Sequence, residues 1–463
     1  MSLSRSVLLA SAAGLLGASS AASADLPTRK AAPATQYVKL CDVGGSSGWL
    51  MPGSDTCMKL SGYVTGQVNA GNLSQQWVWF GNQVTHDSTV AGTKLGLVRG
   101  QDTWSRDAAG WTTRAVAAFD FASSTAYGPL LGHFEVFADA GNGVEPPPNQ
   151  AYLNLGYLEW AGLTAGKADS FFSLISVGVT WPALFSPDRQ GGNEPNLLAY
   201  TASFARGFSA TLSLESQGQV GASGPGTNTQ SNGVDYSQIG DLTYSGQRWP
   251  DIVGALNLKR DWGEAQASGV LHNMDVHGVD GFVLSPVGSE QKVGWAVLAG
   301  TKIKLPTLGP EDVFMVQGVY SRNAIRYSGI PVQMWGENGQ VDGNGQQQFL
   351  ADAYFNGLVW GTPSAWSIEA MLQHFLTPET YIFPEASVAS LSWSNTGGLI
   401  SPNMTSWIVG VDIGWTPVTN LNFDVDLDYQ TTNQARPTAY VGLNPWVGNS
   451  SGFVGRLRIT RNF

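Results

Sequence analysis

Between Leu421 and Tyr429 apolar and polar side chains alternate without a break, with Leu421, Phe423, Val425, Leu427 and Tyr429 set against Asn422, Asp424, Asp426 and Asp428. Strand side chains point to opposite faces with period two, so the segment predicts a β-strand with one apolar and one acidic face. The same rhythm recurs along the chain. It predicts strands at Met58–Ala70, Trp111–Phe121, Leu130–Ala140, Tyr152–Glu159, Leu163–Lys167, Leu197–Ala205, Phe208–Leu214 and Asp251–Arg260. It continues through Glu264–His272, Gln291–Leu305, Asp312–Tyr320, Phe349–Trp360, Trp366–Phe375, Trp407–Trp415, Leu421–Tyr429 and Gly452–Phe463. These make sixteen strands, an even number, as closure of a bacterial transmembrane barrel requires.

The contrast between faces decides what kind of sheet this is. Soluble sandwiches alternate too, but here the polarity difference is sharp and persists over many strands. Apolar side chains would face lipid and polar ones the water inside a closed ring, which predicts an all-β transmembrane antiparallel barrel enclosing a pore. A Lys or Arg on the lipid face near mid-bilayer would cost about 2 to 4 kcal/mol. In the last strand Phe453, Leu457, Ile459 and Phe463 accordingly share one face and Arg456 and Arg458 the other, with Arg461 as an exception next to the end.

Short turns, such as those at Tyr127-Gly128-Pro129, Trp160 to Gly162 and Trp262-Gly263, alternate with long connections. The long ones lie around Ser216–Trp249, Met274–Glu290, Asn323–Gln348, Thr377–Met404 and Thr431–Ser451. Periplasmic turns and extracellular loops of bacterial barrels differ in this way. The segment Asp169–Asn196, between the fifth and sixth strands, is aromatic and carries Pro and Gly with no steady period. A structureless connection of that length needs a functional reason. Inside a barrel the available reason is to fold inward and narrow the channel.

Composition supports the membrane reading. Only 13% of residues are charged, against about 25% in ordinary soluble domains, while 57 Gly and 17 Trp are many. A mean hydropathy of −0.07 is what alternating faces yield when they cancel. Met1–Ala24 has Arg5, an apolar run from Val7 to about Leu16 and a small-residue ending Ala22-Ser23-Ala24, which predicts a secretory leader cleaved before Asp25. That run is shorter than the roughly 20 residues of a membrane-spanning helix. Residues 25–57, rich in Pro, Gly and Ser, then read as an N-terminal periplasmic segment ahead of a barrel spanning 58–463.

A net charge of −11 argues against nucleic acid, which needs a basic surface. The two cysteines, Cys41 and Cys57, are expected to pair as a disulfide in an oxidising compartment. Two unpaired thiols are the alternative, and a zinc site lacks a nearby His.

Several stretches resemble the alphaproteobacterial general porins. They are YVKLCDVGGSSGWLMPGSDTCMKLSGYV at Tyr37–Val64, AYLNLGYLEWAGLTAGKADSFF at Ala151–Phe172, NLLAYTASFARGFSATLSLE at Asn196–Glu215, WPDIVGALNLKRDWGEAQASG at Trp249–Gly269 and the ending GRLRITRNF. The resemblance covers nearly all of the chain after the leader. It implies a sixteen-stranded homotrimer in the bacterial outer membrane, with one diffusion channel per subunit and an inward third loop, placed here at 169–196. Expected partners are further copies of the chain, membrane lipid and lipopolysaccharide, and the outer-membrane assembly machinery, for which Phe463 would be part of the recognition signal. The long Gly- and Asn-rich outer loops depart from the family pattern, so surface properties and gating do not carry over.

Passage through such a pore is passive, and the field at its narrowest point governs which small hydrophilic solutes and ions cross. Candidate groups are Asp169, Asp188, Arg189 and Glu194 on the inward loop, with Lys59, Arg114, Arg456 and Arg458 on lumen faces. Acids on the loop opposite bases on the wall would set a transverse field. Alternatively, Arg456 and Arg458 pair across strands with Asp424, Asp426 and Asp428. The run Asp424-Val425-Asp426-Leu427-Asp428 mimics the start of a calcium loop, yet Tyr429 stands where that turn demands Gly. His86, His133, His272, His277 and His374 form no metal spacing, and no hydrolase or phosphate-loop motif occurs. Glu135 and Asp139 could be cast as a glycosidase pair, but they share a lumen face, so no enzyme activity and no cofactor are expected. The competing class is a secreted or surface-attached all-β carbohydrate-binding protein or adhesin. Its tryptophans would stack on sugars, whereas Trp111, Trp366, Trp407 and Trp415 are placed for the girdles of a barrel.

Overall fold

The structure, a computed structural model, describes residues 39–43, 45–71, 88–90, 93–95, 109–142, 149–175, 186–187, 194–216, 241–244, 248–279, 286–330, 354–355, 360–394, 403–434 and 449–463. Sixteen strands form a ring, labelled in chain order. They are β1 (Cys57–Gly71), β2 (Ala109–Thr125), β3 (Gly128–Asn142), β4 (Gln150–Trp160), β5 (Leu163–Lys167), β6 (Asn196–Phe204), β7 (Phe208–Glu215) and β8 (Asp251–Arg260). The second half comprises β9 (Gly263–Val279), β10 (Pro286–Lys304), β11 (Val313–Arg322), β12 (Trp360–Thr377), β13 (Thr380–Ser394), β14 (Met404–Val418), β15 (Leu421–Gln434) and β16 (Asn449–Asn462). Each pairs antiparallel with the next, and β16 pairs with β1 from Val454 opposite Gly71 to Asn462 opposite Tyr63. Closure leaves the ring without an edge, so every strand finds backbone partners on both sides without water.

Alternation sorts the two faces. Val64, Leu212, Leu256, Val297, Ile368 and Leu457 are exposed on the outside, the position for contact with hydrocarbon. Aromatic pairs reinforce this face, among them Trp295 with Tyr320, Trp407 with Tyr429 and Trp415 with Phe423, at centroid distances of 5.6 to 5.7 Å. Arg461, the exception in the last strand, lies at the short-turn end and donates to the carbonyl oxygens of Asn420 and Asn462.

Cys41 and Cys57 are disulfide-bonded, with 5.8 Å between their Cα atoms. The bond ties the strand Leu40–Val43 to the first residue of β1.

One strand differs from the sequence expectation. Val313–Arg322 pairs directly with Trp360–Thr377, with Met315 opposite Met371 and Tyr320 opposite Trp366. Phe349–Trp360 is therefore not a wall strand; its described part forms a two-residue bridge at Tyr354–Phe355 against Trp360 and Gly361. The missing wall strand is β13, which falls in what reads as the long connection Thr377–Met404. Its inner face carries Phe383, Ala389 and Leu391, all buried, and its outer face Pro384 and Ala386. With apolar residues on both faces, β13 shows no alternation in sequence.

Candidate functional site

The interior has two kinds of wall. From β13 to β16 it is densely charged, although Phe383, Ala389 and Leu391 of β13 and Ile408 of β14 belong to a buried apolar cluster. Asp412 on β14, Asp424, Asp426 and Asp428 on β15 and Glu385 on β13 are all buried toward the inside. Cross-strand register sets Asp426 opposite Arg456 and Asp424 opposite Arg458. Arg456 Nη1 donates to Asp426 Oδ2 at 2.5 Å and to Asp428 Oδ2 at 2.6 Å. Arg458 Nε donates across the seam to Gln67 Oε1 on β1 at 2.8 Å. Glu385, Asp426 and Asp428 bring carboxylate oxygens within 4.8 Å of one another, an arrangement that otherwise suits a cation. The Arg456 guanidinium already supplies positive charge to two of the three.

From β7 to β12 the inner wall is instead the floor for an inward segment. After β5 the chain leaves the ring, and Phe172, Leu174 and Ile175 are buried with Val253, Val270, Ala296, Leu298 and Val319 of the wall. Hydrogen bonds fix this segment at its backbone. Glu215 accepts from Ser170 Oγ at 2.7 Å and from the Phe171 amide at 3.2 Å. Ser268 Oγ and Gln266 Nε2 donate to the Phe172 carbonyl, at 2.5 and 3.2 Å. Gln317 Oε1 accepts from the amides of Leu174 and Ile175, at 3.3 and 3.1 Å. A chain segment without strand partners needs such side chains to satisfy its buried amides.

A second short segment follows β11. Ile325–Ser328 forms a single 3-10 turn, and Ile325, Tyr327 and Ile330 are buried in the same cluster. The Tyr327 ring meets Phe172 edge-on at 4.9 Å. Its hydroxyl donates to Asp251 Oδ2 at 2.5 Å, and His272 Nδ1 lies 3.0 Å from the same carboxylate. Arg326 Nη2 sits 3.7 Å from that carboxylate. Burial pushes the Tyr327 phenol well above its usual range, with the Asp251 carboxylate adding to the shift, so the hydroxyl stays protonated and donating.

The remaining candidate residues fall in separate places. Arg114 is held by Asp139 on β3 through two hydrogen bonds of 2.6 and 2.9 Å, and its guanidinium lies 4.4 Å from the Phe137 ring centre. Lys59 sits near the short-turn end of β1, in register with Asp120, which is 2.7 Å from His133 Nδ1. Asp169 follows β5 and is exposed, while Glu194 lies 4.0 Å from Lys167 Nζ. Asp188 and Arg189 lie outside the described residues, as do His86 and the side chain of His277. Phe463 exchanges backbone hydrogen bonds with Gly62 of β1 in both directions, at 3.0 and 3.2 Å.

Sequence reasoning passed over Glu215, Asp251, Gln317, Arg326 and Tyr327. A signal for two of them was present: Glu215 and Asp251 are acids at the loop ends of neighbouring strands, in register with each other, where a solvated end would not bury both.

Comparison with known proteins agrees with this architecture. A family model described as Porin subfamily matches residues 25–450. Porin Omp2b of Brucella suis biovar 1 (strain 1330) is 26% identical over 317 residues, covering 64% of this chain and 80% of that protein. Porin Omp2b of Brucella abortus (strain 2308) matches to the same extent, 26% over 317 residues. Among solved structures, the outer membrane channel DcaP of Acinetobacter baumannii superposes with a TM-score of 0.56 at 14% identity, covering 89% of this chain and 99% of DcaP. A closed sixteen-stranded ring with an apolar outside, a polar interior and this match over most of its length make the chain a member of the Porin subfamily, an outer-membrane channel crossing the bilayer with its strands.

Proposed function

We propose that small hydrophilic solutes and ions diffuse through this barrel one channel per subunit, in a homotrimer, past a waist formed by the inward segment between β5 and β6. The observation that carries the reading is the anchoring of that segment to the far inner wall, through the Leu174 and Ile175 amides on Gln317. Acids of the segment, Asp169, Asp188 and Glu194, together with Arg189, would act against the wall bases Lys59, Arg114, Arg456 and Arg458, of which Arg114 and Arg456 are partly neutralised by Asp139 and by Asp426 and Asp428. The resulting transverse field orders solutes by charge as well as size. No step in such passage is catalytic. Residues 1–24 act as the export leader and 25–57 as a periplasmic segment. Phe463 serves as part of the signal for the assembly machinery, and the outer loops meet lipopolysaccharide.

Single-channel recording of detergent-purified protein in a planar bilayer tests the reading, with a salt gradient to read the reversal potential. Closing in steps of three supports a trimer of open pores. Replacing Gln317 with Leu is expected to raise the conductance, because the waist loses its anchor. Absence of conductance from folded, inserted protein would sink the reading.

A further inference from the structure

At the short-turn end of the polar wall, β12 to β16 enclose a recess of about 400 Å³, lined by Gln373, Phe375, Tyr381, Phe383, Thr416, Asn422 and Asn462, with Asn420 and Leu421 at its rim. Apart from Asn420 in the turn and Leu421 at the start of β15, these side chains lie on inner-face positions of five consecutive strands, so the recess opens into the channel. Its lining has two features in combination: three aromatic rings and five amide or aliphatic hydroxyl side chains, with no ionised side chain among them. We infer that this recess is a binding subsite for neutral polyhydroxylated solutes, sugars of one to three pyranose rings, on their way through the channel.

The chemistry follows from what such solutes present. A pyranose offers apolar C–H faces, which pack on aromatic rings, and a rim of hydroxyls that both donate and accept. Amides match that rim because each carries donors and an acceptor. A mixed lining of rings and a few polar groups in a concave site is the usual form of a small-molecule site. The charged groups that border it are already engaged, Arg461 on the carbonyls of Asn420 and Asn462 and Asp424 with Tyr381 and Asn422.

The recess is also rigid where rigidity matters. The Tyr381 hydroxyl donates to Asp424 Oδ1 at 2.5 Å and accepts from Asn422 Nδ2 at 3.4 Å. Its ring lies across Gly414, where an added Cβ would come within 2.1 Å of ring atoms. Phe375 stands edge-on to the same ring at 5.9 Å. Thr416 and Asn422 are tied to each other by a 3.0 Å hydrogen bond. Gln373 and Asn462, by contrast, have side-chain amides with no hydrogen-bond partner among the described residues. The wall thus holds a fixed aromatic platform and leaves two amides open toward a solute. The carboxylates of Asp412 and Asp424 stand behind the platform and orient Tyr381 instead of facing the recess.

The test uses the full-length folded protein in a planar bilayer, with maltotriose added at millimolar concentration. A polyethylene glycol of similar mass serves as the size control and tetraethylammonium as the cation. Maltotriose is expected to interrupt the ion current more than the glycol does. The Phe375→Ala and Gln373→Ala variants should each weaken that block about tenfold, the effect of losing roughly 1.4 kcal/mol of contact. Gly414→Val, which displaces the Tyr381 ring, should do the same, whereas Tyr381→Phe, which keeps the ring and drops only the hydroxyl contact to Asp424, should retain most of the block. Calorimetric titration of detergent-solubilised protein with maltotriose gives a second reading independent of conductance. Block by maltotriose no greater than by the glycol, or equal block in wild type and variants, would overturn the assignment while leaving the pore itself standing. Stronger block by tetraethylammonium than by maltotriose would also overturn it, in favour of a cation site. Protein that inserts without conducting would instead count against the pore, and the calorimetry would then decide the recess alone.

Discussion

Strands β15 and β13 belong to the same polar side of the barrel, one strand apart, and yet they are built on different rules. On β15 the inner face is Asn422, Asp424, Asp426, Asp428 and Gln430, and the outer face is apolar from Leu421 to Tyr429. On β13 the inner face mixes Tyr381, Phe383, Glu385, Ser387, Ala389 and Leu391, and the outer face includes Pro384 and Ala386. The difference arises from what each inner face meets. Where water and paired charges line the wall, the inner face must be polar. Where Phe383, Ala389 and Leu391 join the buried cluster around the inward segments, the inside of the barrel behaves as an ordinary core and selects apolar side chains.

The comparison can be broken most severely at Arg456. Replacing it with Met leaves Asp426 and Asp428 buried without their counter-charge, which should cost about 3 to 5 kcal/mol. The expected outcome is loss of the heat-resistant folded band on unboiled gels, with partial recovery when Asp428→Asn is added. On the apolar side, Phe172→Ala removes the ring on which Tyr327 rests and should weaken docking of the inward segment by about 3 kcal/mol. The barrel should keep its gel mobility while single-channel conductance rises and becomes noisier.

The face assignment of β13 is sharpened by a pair of substitutions. Val388→Arg, on the outer face, should destabilise folding into vesicles by about 2 kcal/mol in urea titration, whereas Ser387→Arg should cost clearly less. Equal costs would remove β13 from the lipid boundary. The smallest effect concerns pH. The folded-state pKa of Tyr327 is raised, so its contribution is complete below the unfolded phenol value of about 10 and declines as pH rises above it. Conductance should therefore become noisier in strongly alkaline solution, and Tyr327→Phe should abolish that dependence.

Most of the ring was legible because the outer face obeys one rule along the middle of its strands: lipid accepts only apolar side chains there. Leu421–Tyr429 and Gly452–Phe463 are readable for that reason, and so is their pairing of Asp426 with Arg456. The inner face obeys no single rule, so β13 was hidden, and the residues that hold the inward segment could not be found from alternation. Gln317 and Ser268 look like ordinary lumen residues in sequence. Their role depends on which backbone arrives opposite them, through contacts such as Gln317 to Ile175 that join residues 142 positions apart.

The seam between β16 and β1 constrains the order of assembly. Arg458 and Gln67, joined across it, are 391 positions apart. Other strand pairs can form between neighbours in the chain, as local contacts that close quickly, whereas this pairing must wait until the two ends of the sheet meet, the slowest kind of contact by chain topology. Until then both outer strands offer unpaired edges to any other chain nearby. Seam closure is therefore the pairing expected to form last, and a substitution at Arg458 or Gln67 is expected to slow maturation by prolonging the time that those edges stay open.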